Sequence, residues 1–231
     1  MGRFSGLLLI VCSSVSAAEP VDDPHVIRDI EGWTVHVDPS LLDGEHKPLG
    51  DKALKILAAE LFEVTLLVPE SRVKELRKVP IWIDREHALG SCQYHPNIGW
   101  LKNNGHNPKM AKAVHIPRAK RLINLQRPAG QPAVLLHELA HAYHDRVLSF
   151  DHPGIKATYD AAVERGDYES VLHISGKKNR HYALTNHKEF FAEMTEAYFC
   201  TNDFYPFVQG ELRTTDPETF HLLKSVWGDA K

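Results

Sequence analysis

"LLHELAHAYHDR", residues 135–146, is the stretch on which the reading of this chain turns. Leu135, Leu136, Leu139, Ala140, Ala142 and Tyr143 leave it almost no polar face, and a helix that is apolar nearly all round is buried. His137, Glu138 and His141 lie inside that segment, and buried polar groups need partners. His137 and His141 are four apart, which puts their Cβ atoms roughly 5–6 Å apart on one helix face. Two imidazoles placed in this way can converge on one ion at ~2.0–2.1 Å each, the zinc–nitrogen distance. Glu138 stands about 100° further round the helix, where it reaches over the open side of such an ion without binding it. That is the station of a general base, so this H-E-x-x-H spacing brings a mechanism with it.

A catalytic zinc normally takes three protein ligands. His144 fails as the third, because a rise of 1.5 Å per residue carries it about 10.5 Å along the axis from His137. A third histidine six residues after His141 is excluded as well, since that position is Val147. The better donor lies 48 residues beyond His141. In "NHKEFFAEM" (186–194), Glu189 and Glu193 share one face of a second helix flanked by Phe190, Phe191 and Ala192. Two acids on a buried helix are costly without a cation to receive them. Glu189 is therefore expected as the third ligand. Glu193 is expected to orient His137 or His141 through the ring N–H, as outer carboxylates do in metal sites.

Taken together, these residues resemble the gluzincin metallopeptidases. "YALTNHKEFFAEM" (182–194) is most similar to the catalytic domain of anthrax lethal factor and its relatives, and the resemblance covers roughly residues 131–200. It implies a zincin-like α+β fold and one Zn2+ ion. His137, His141 and Glu189 match the zinc ligands and Glu138 the catalytic base. Tyr182, seven positions ahead of Glu189, matches the tyrosine that stabilises the developing oxyanion. The implied activity is that of an endopeptidase on a protein or peptide substrate. A zinc amidase acting on cell-wall peptide or another non-protein substrate would carry the same residues around the metal. A non-catalytic zinc-binding protein would have no need of Glu138.

The rest of the chain frames this site. Its 231 residues are 43% hydrophobic and 25% charged, enough for a sizeable core. A formal net charge of −3 without long blocks of like charge argues against a nucleic-acid partner. The opening "MGRFSGLLLIVCSSVSAAEP" places a basic residue, a short apolar run and small residues in the order of a secretory leader, with cleavage expected after Ala18. That run is shorter than the ~20 residues that span a bilayer, so the expectation is a secreted or periplasmic protein without stable membrane insertion. One catalytic domain then fills residues 19–231. Cys92 and Cys200 remain, and whether they pair is left open.

Within that domain, an α/β lobe is expected over about residues 25–130 and a helical lobe over about 131–231, with the cleft between them. "WTVHV" (33–37), "VPIWID" (79–84) and "KAVHIP" (112–117) read as strands, and 52–67 as an amphipathic helix stopped by Pro69. The "AVHI" stretch is a candidate edge strand for aligning an extended peptide. Residues 91–108, rich in Gly, Asn and Pro, read as loop, with Tyr94, His95 and Trp100 either lining the cleft or anchoring the loop. Helices are expected over 133–148, 155–165, 187–199 and 217–226, the last capped by Asp216. The Lys177, Lys178 and Arg180 cluster reads as solvated loop.

Overall fold

In the computed structural model, residues 24–125 and 130–230 are described; the expected leader lies outside them. The first half builds a five-stranded sheet with helices packed on it. Strands β1 (Val26–Ile30) and β2 (Trp33–Val37) form an antiparallel hairpin. Helices α1 (Lys47–Leu67) and α2 (Glu70–Leu76) then carry the chain to β3 (Ile81–Ile83), parallel to β2. After β4 (Gln93–Tyr94) and α3 (Ile98–Asn103) comes β5 (Val114–Ile116), which inserts between β3 and β4. The spatial order is β1-β2-β3-β5-β4, with β4 antiparallel to β5 at the edge.

Side chains alternate across such a sheet with period two. Ile81, Ile83, Val114 and Ile116 enter the main core, whereas Trp82 enters a small separate cluster with Leu101, Met110 and Ala113. Across from Trp82 in the β3–β5 register stands His115. Helix α1 adds Leu57, Leu61 and Val64 to the main core. Its first turn runs so close to the Pro39–Leu41 turn that a Cβ on Gly50 would lie 1.9 Å from the Leu41 carbonyl oxygen, so only glycine fits there.

The second half is helical. Helix α4 (Ala119–Leu125) precedes α5 (Val134–Tyr143), followed by α6 (Pro153–Arg165), the short strands β6 (Val171–Leu172) and β7 (Lys178–Asn179), α7 (His187–Phe199), α8 (Gln209–Thr215) and α9 (Pro217–Trp227). Helix α5 is buried along almost its whole length and packs on α7, as its apolar composition demands. The seam between α7, α9 and the end of α5 is aromatic. Trp227 stacks on Tyr143 with centroids 4.3 Å apart and meets Phe191 and Phe199 at 5.8 and 5.7 Å. Asp216 caps α9 by accepting from Thr219 N.

Three expectations change. Residues 91–108 contain the edge strand β4 and the helix α3, because Asn97 caps α3 by accepting from Gly99 N and Trp100 N. The "AVHI" stretch is an inner strand: β5 is paired on both sides, and the edge belongs to β4. The helix expected over 133–148 is regular only from Val134 to Tyr143, and residues His144–Leu148 widen into one π turn. Cys92 and Cys200 are both free thiols.

Candidate metal centre and cleft

Two helix starts set the site. Asn186 caps α7 by accepting from Lys188 N (2.9 Å) and Glu189 N (3.1 Å), which fixes the rotational phase of the helix and puts Glu189 in its first turn. A carboxylate there is also favoured by the helix dipole. Helix α5, held by its apolar sides, presents His137 and His141 toward it.

The three side chains meet. His137 Nε2 and His141 Nε2 are 3.1 Å apart, and Glu189 Oε2 is 3.2 Å from each. A tetrahedral ion with bonds of 2.0–2.1 Å separates its ligand atoms by roughly 3.3–3.4 Å, so this nearly equilateral triangle is close to one face of such a tetrahedron. His137 Nδ1 lies 2.7 Å from Glu196 Oε1 and donates to it, which turns the lone pair of Nε2 toward the other two atoms. These three atoms lie in a largely buried position and could hold a divalent metal ion. Burial works against charge on both partners, but hydrogen bonds to these side chains prevail. Glu189 is held well below the usual carboxylate range and His137 well above the usual histidine range.

Glu138 stands beside the triangle. Its Oε2 accepts from the backbone N–H of Tyr94, on the edge strand, at 2.7 Å. Burial pushes its carboxyl above the ordinary range, while His137, His141 and the Tyr94 N–H restrain the rise. Tyr182 opens the short turn Tyr182–Thr185, is half-exposed and lines the same cleft. Burial, and then the charge of Glu189, keep its phenol protonated above the ordinary tyrosine range, as a hydrogen-bond donor must be. The cleft encloses about 620 Å³, with Gln93 and Tyr94 of β4 along its wall and Arg121 and Lys188 among its cationic lining.

Glu193 lies beside His137, and Glu196 lies closer still. Glu193 Oε1 is 3.5 Å from His137 Nδ1, and the carboxylate that holds this nitrogen is that of Glu196. Burial, and then repulsion by Glu196, push the Glu193 carboxyl well above the usual carboxylate range. The signal for Glu196 was present: Glu189, Glu193 and Glu196 follow i, i+4, i+7 spacing and lie on one helical face. The hydrogen bond from Tyr94 to Glu138 had no such signal, because it joins backbone to a residue 44 positions away.

His144 stays out of the triangle. It is fully buried between Phe150, Phe191 and His187, with neither ring nitrogen partnered, and burial followed by the neighbouring His187 lowers its pKa to about 3. Of the loop aromatics, Tyr94 lines the cleft and donates its hydroxyl to Asp145 Oδ2 at 2.7 Å. His95 is buried against His115, and Trp100, largely exposed, stacks on His106. Comparison with known protein families, with curated proteins and with solved structures finds no match.

Proposed function

We propose that the protein is an exported zinc-dependent endopeptidase of zincin-like, gluzincin type. The observation that carries this reading is the His137–His141–Glu189 triangle with Glu138 beside it. His137, His141 and Glu189 would hold the divalent metal, which would supply Lewis acidity and lower the pKa of a water. Glu138 would take a proton from the attacking water and return it to the leaving amine, and its raised pKa suits a group that must do both. The Tyr94 N–H holds the carboxylate in one orientation. Tyr182 donates its phenolic proton to the developing oxyanion. Glu196 keeps the His137 ring in the orientation that aims Nε2 into the triangle.

Strand β4 lines the cleft wall and pairs with β5 alone among the described strands, and Glu138 accepts from its outward Tyr94 N–H. A peptide substrate would lie in the cleft along this wall. Among the described residues no helix is long and apolar enough to cross a membrane.

The test pairs metal analysis with digestion of a peptide library by the wild type and Glu138→Gln. Stoichiometric zinc in both, with cleavage by the wild type alone, is the expected result. Zinc bound by both with cleavage by neither would leave a binding protein in place of an enzyme.

A further inference from the structure

A second concentration of metal-binding side chains lies on the opposite face of the sheet. Pleating sends His115 of β5 away from the main core, next to Asp84, the residue that follows β3. Asp84 Oδ2 is 2.7 Å from His115 Nε2, and Oδ1 is 2.7 Å from His25 Nε2. The His87 ring meets that of His115 edge-on at 4.8 Å, and one ligand atom from each of Asp84, His87 and His115 lies within 4.8 Å of the others. His115 is fully buried and Asp84 nearly so.

The surroundings prepare these groups for a cation. Behind His115, its Nδ1 lies 3.2 Å from His95 Nε2. Ligation through His115 Nε2 requires the ring proton on Nδ1, where it donates to His95 Nε2.

We propose that Asp84, His87 and His115 form a second divalent-metal site, structural in role, which ties the segment after β3 to the inner strand β5. Nitrogen and oxygen ligands of this kind suit zinc or a neighbouring transition ion. Loading widens the Asp84–His115 contact toward the roughly 3.3 Å of a shared coordination sphere. His87 Nδ1 now accepts from Leu89 N at 3.1 Å; ligation through Nε2 moves the ring proton to Nδ1, and that contact gives way. His95, which supports His115, directly follows Tyr94, whose N–H holds Glu138.

The test strips the mature protein with a chelator, reloads it with zinc alone, and counts tightly bound metal by mass spectrometry. Two ions per chain are expected for the wild type, one for His87→Ala, one for His141→Ala and none for the double variant. Asp84→Asn, nearly isosteric, repeats the His87 result should His87→Ala fold poorly. Zinc added to His141→Ala should raise the melting temperature, and the rise should vanish when His87→Ala is added. One ion in the wild type, retained by His87→Ala and Asp84→Asn, would overturn the second site and leave Asp84 as a hydrogen-bonded clamp between histidines. Loss of metal in His87→Ala but not in His141→Ala would instead overturn the catalytic-site reading and leave this one standing.

Discussion

Replacing Glu196 with glutamine should weaken metal binding about tenfold, whereas the same change at Glu193 should alter it by less than about threefold. The difference follows from position. Glu196 Oε1 is 2.7 Å from His137 Nδ1, a charge-assisted hydrogen bond in a fully buried setting, while Glu193 Oε1 is 3.5 Å away and its carboxyl is pushed above the usual range by burial and by Glu196. Outer-sphere partners of a ligating histidine cost roughly 10–100-fold in metal affinity when lost. Glutamine keeps an oxygen that can accept from Nδ1 but removes the charge, so the lower end applies. A tenfold loss is about 1.4 kcal/mol. Gln131 Nε2 donates to the same Glu196 oxygen at 3.1 Å and should help to hold the substituted amide in register. Competitive titration of zinc against a chromophoric chelator at neutral pH measures the effect, with circular dichroism to confirm folding. A larger loss in Glu193→Gln than in Glu196→Gln would refute the assignment.

Tyr182→Phe should lower kcat by ~10²–10³ with little change in KM or zinc content, read from steady-state kinetics on a cleaved peptide. His144→Leu should leave metal content unchanged and stability equal or higher, because an unsatisfied buried polar group costs ~1–3 kcal/mol; a chemical melt and metal analysis check both. Burial, and then Glu63, raise Glu60 from 4.5 to about 8. The folded state thus holds a proton that the unfolded chain releases near 4.5, so the contribution of Glu60 to stability falls by ~1.4 kcal/mol per pH unit as pH rises between these two values. Glu60→Gln should flatten that slope in denaturation series across the range. Trp227→Ala should destabilise the fold by ~3–5 kcal/mol in the same assay, since it empties the aromatic seam and leaves Thr195 without its Nε1 donor.

Local chemistry made much of the molecule legible. The apolar sides of 134–143 announced a buried helix, and the four-residue offsets on α5 and α7 announced which side chains share a face. Asn186 and Asp216 marked helix starts by their capping chemistry. These features depend on neighbours within a turn or two, which a linear sequence displays directly.

Other features were set by contacts between distant parts of the chain. That Glu196 and not Glu193 holds His137 depends on how deeply α7 settles against α5, a matter of side-chain packing across 59 positions. The edge of the sheet fell to β4 rather than β5 because a short strand from a Gly- and Asn-rich segment pairs on the outside, and two residues carry too little period to announce a strand. The Asp84–His115 pairing exists only because pleating turns one residue of β5 to the far face, where residues from four segments gather. Periodicity reveals which face a residue occupies; only the folded chain determines what waits on the other side.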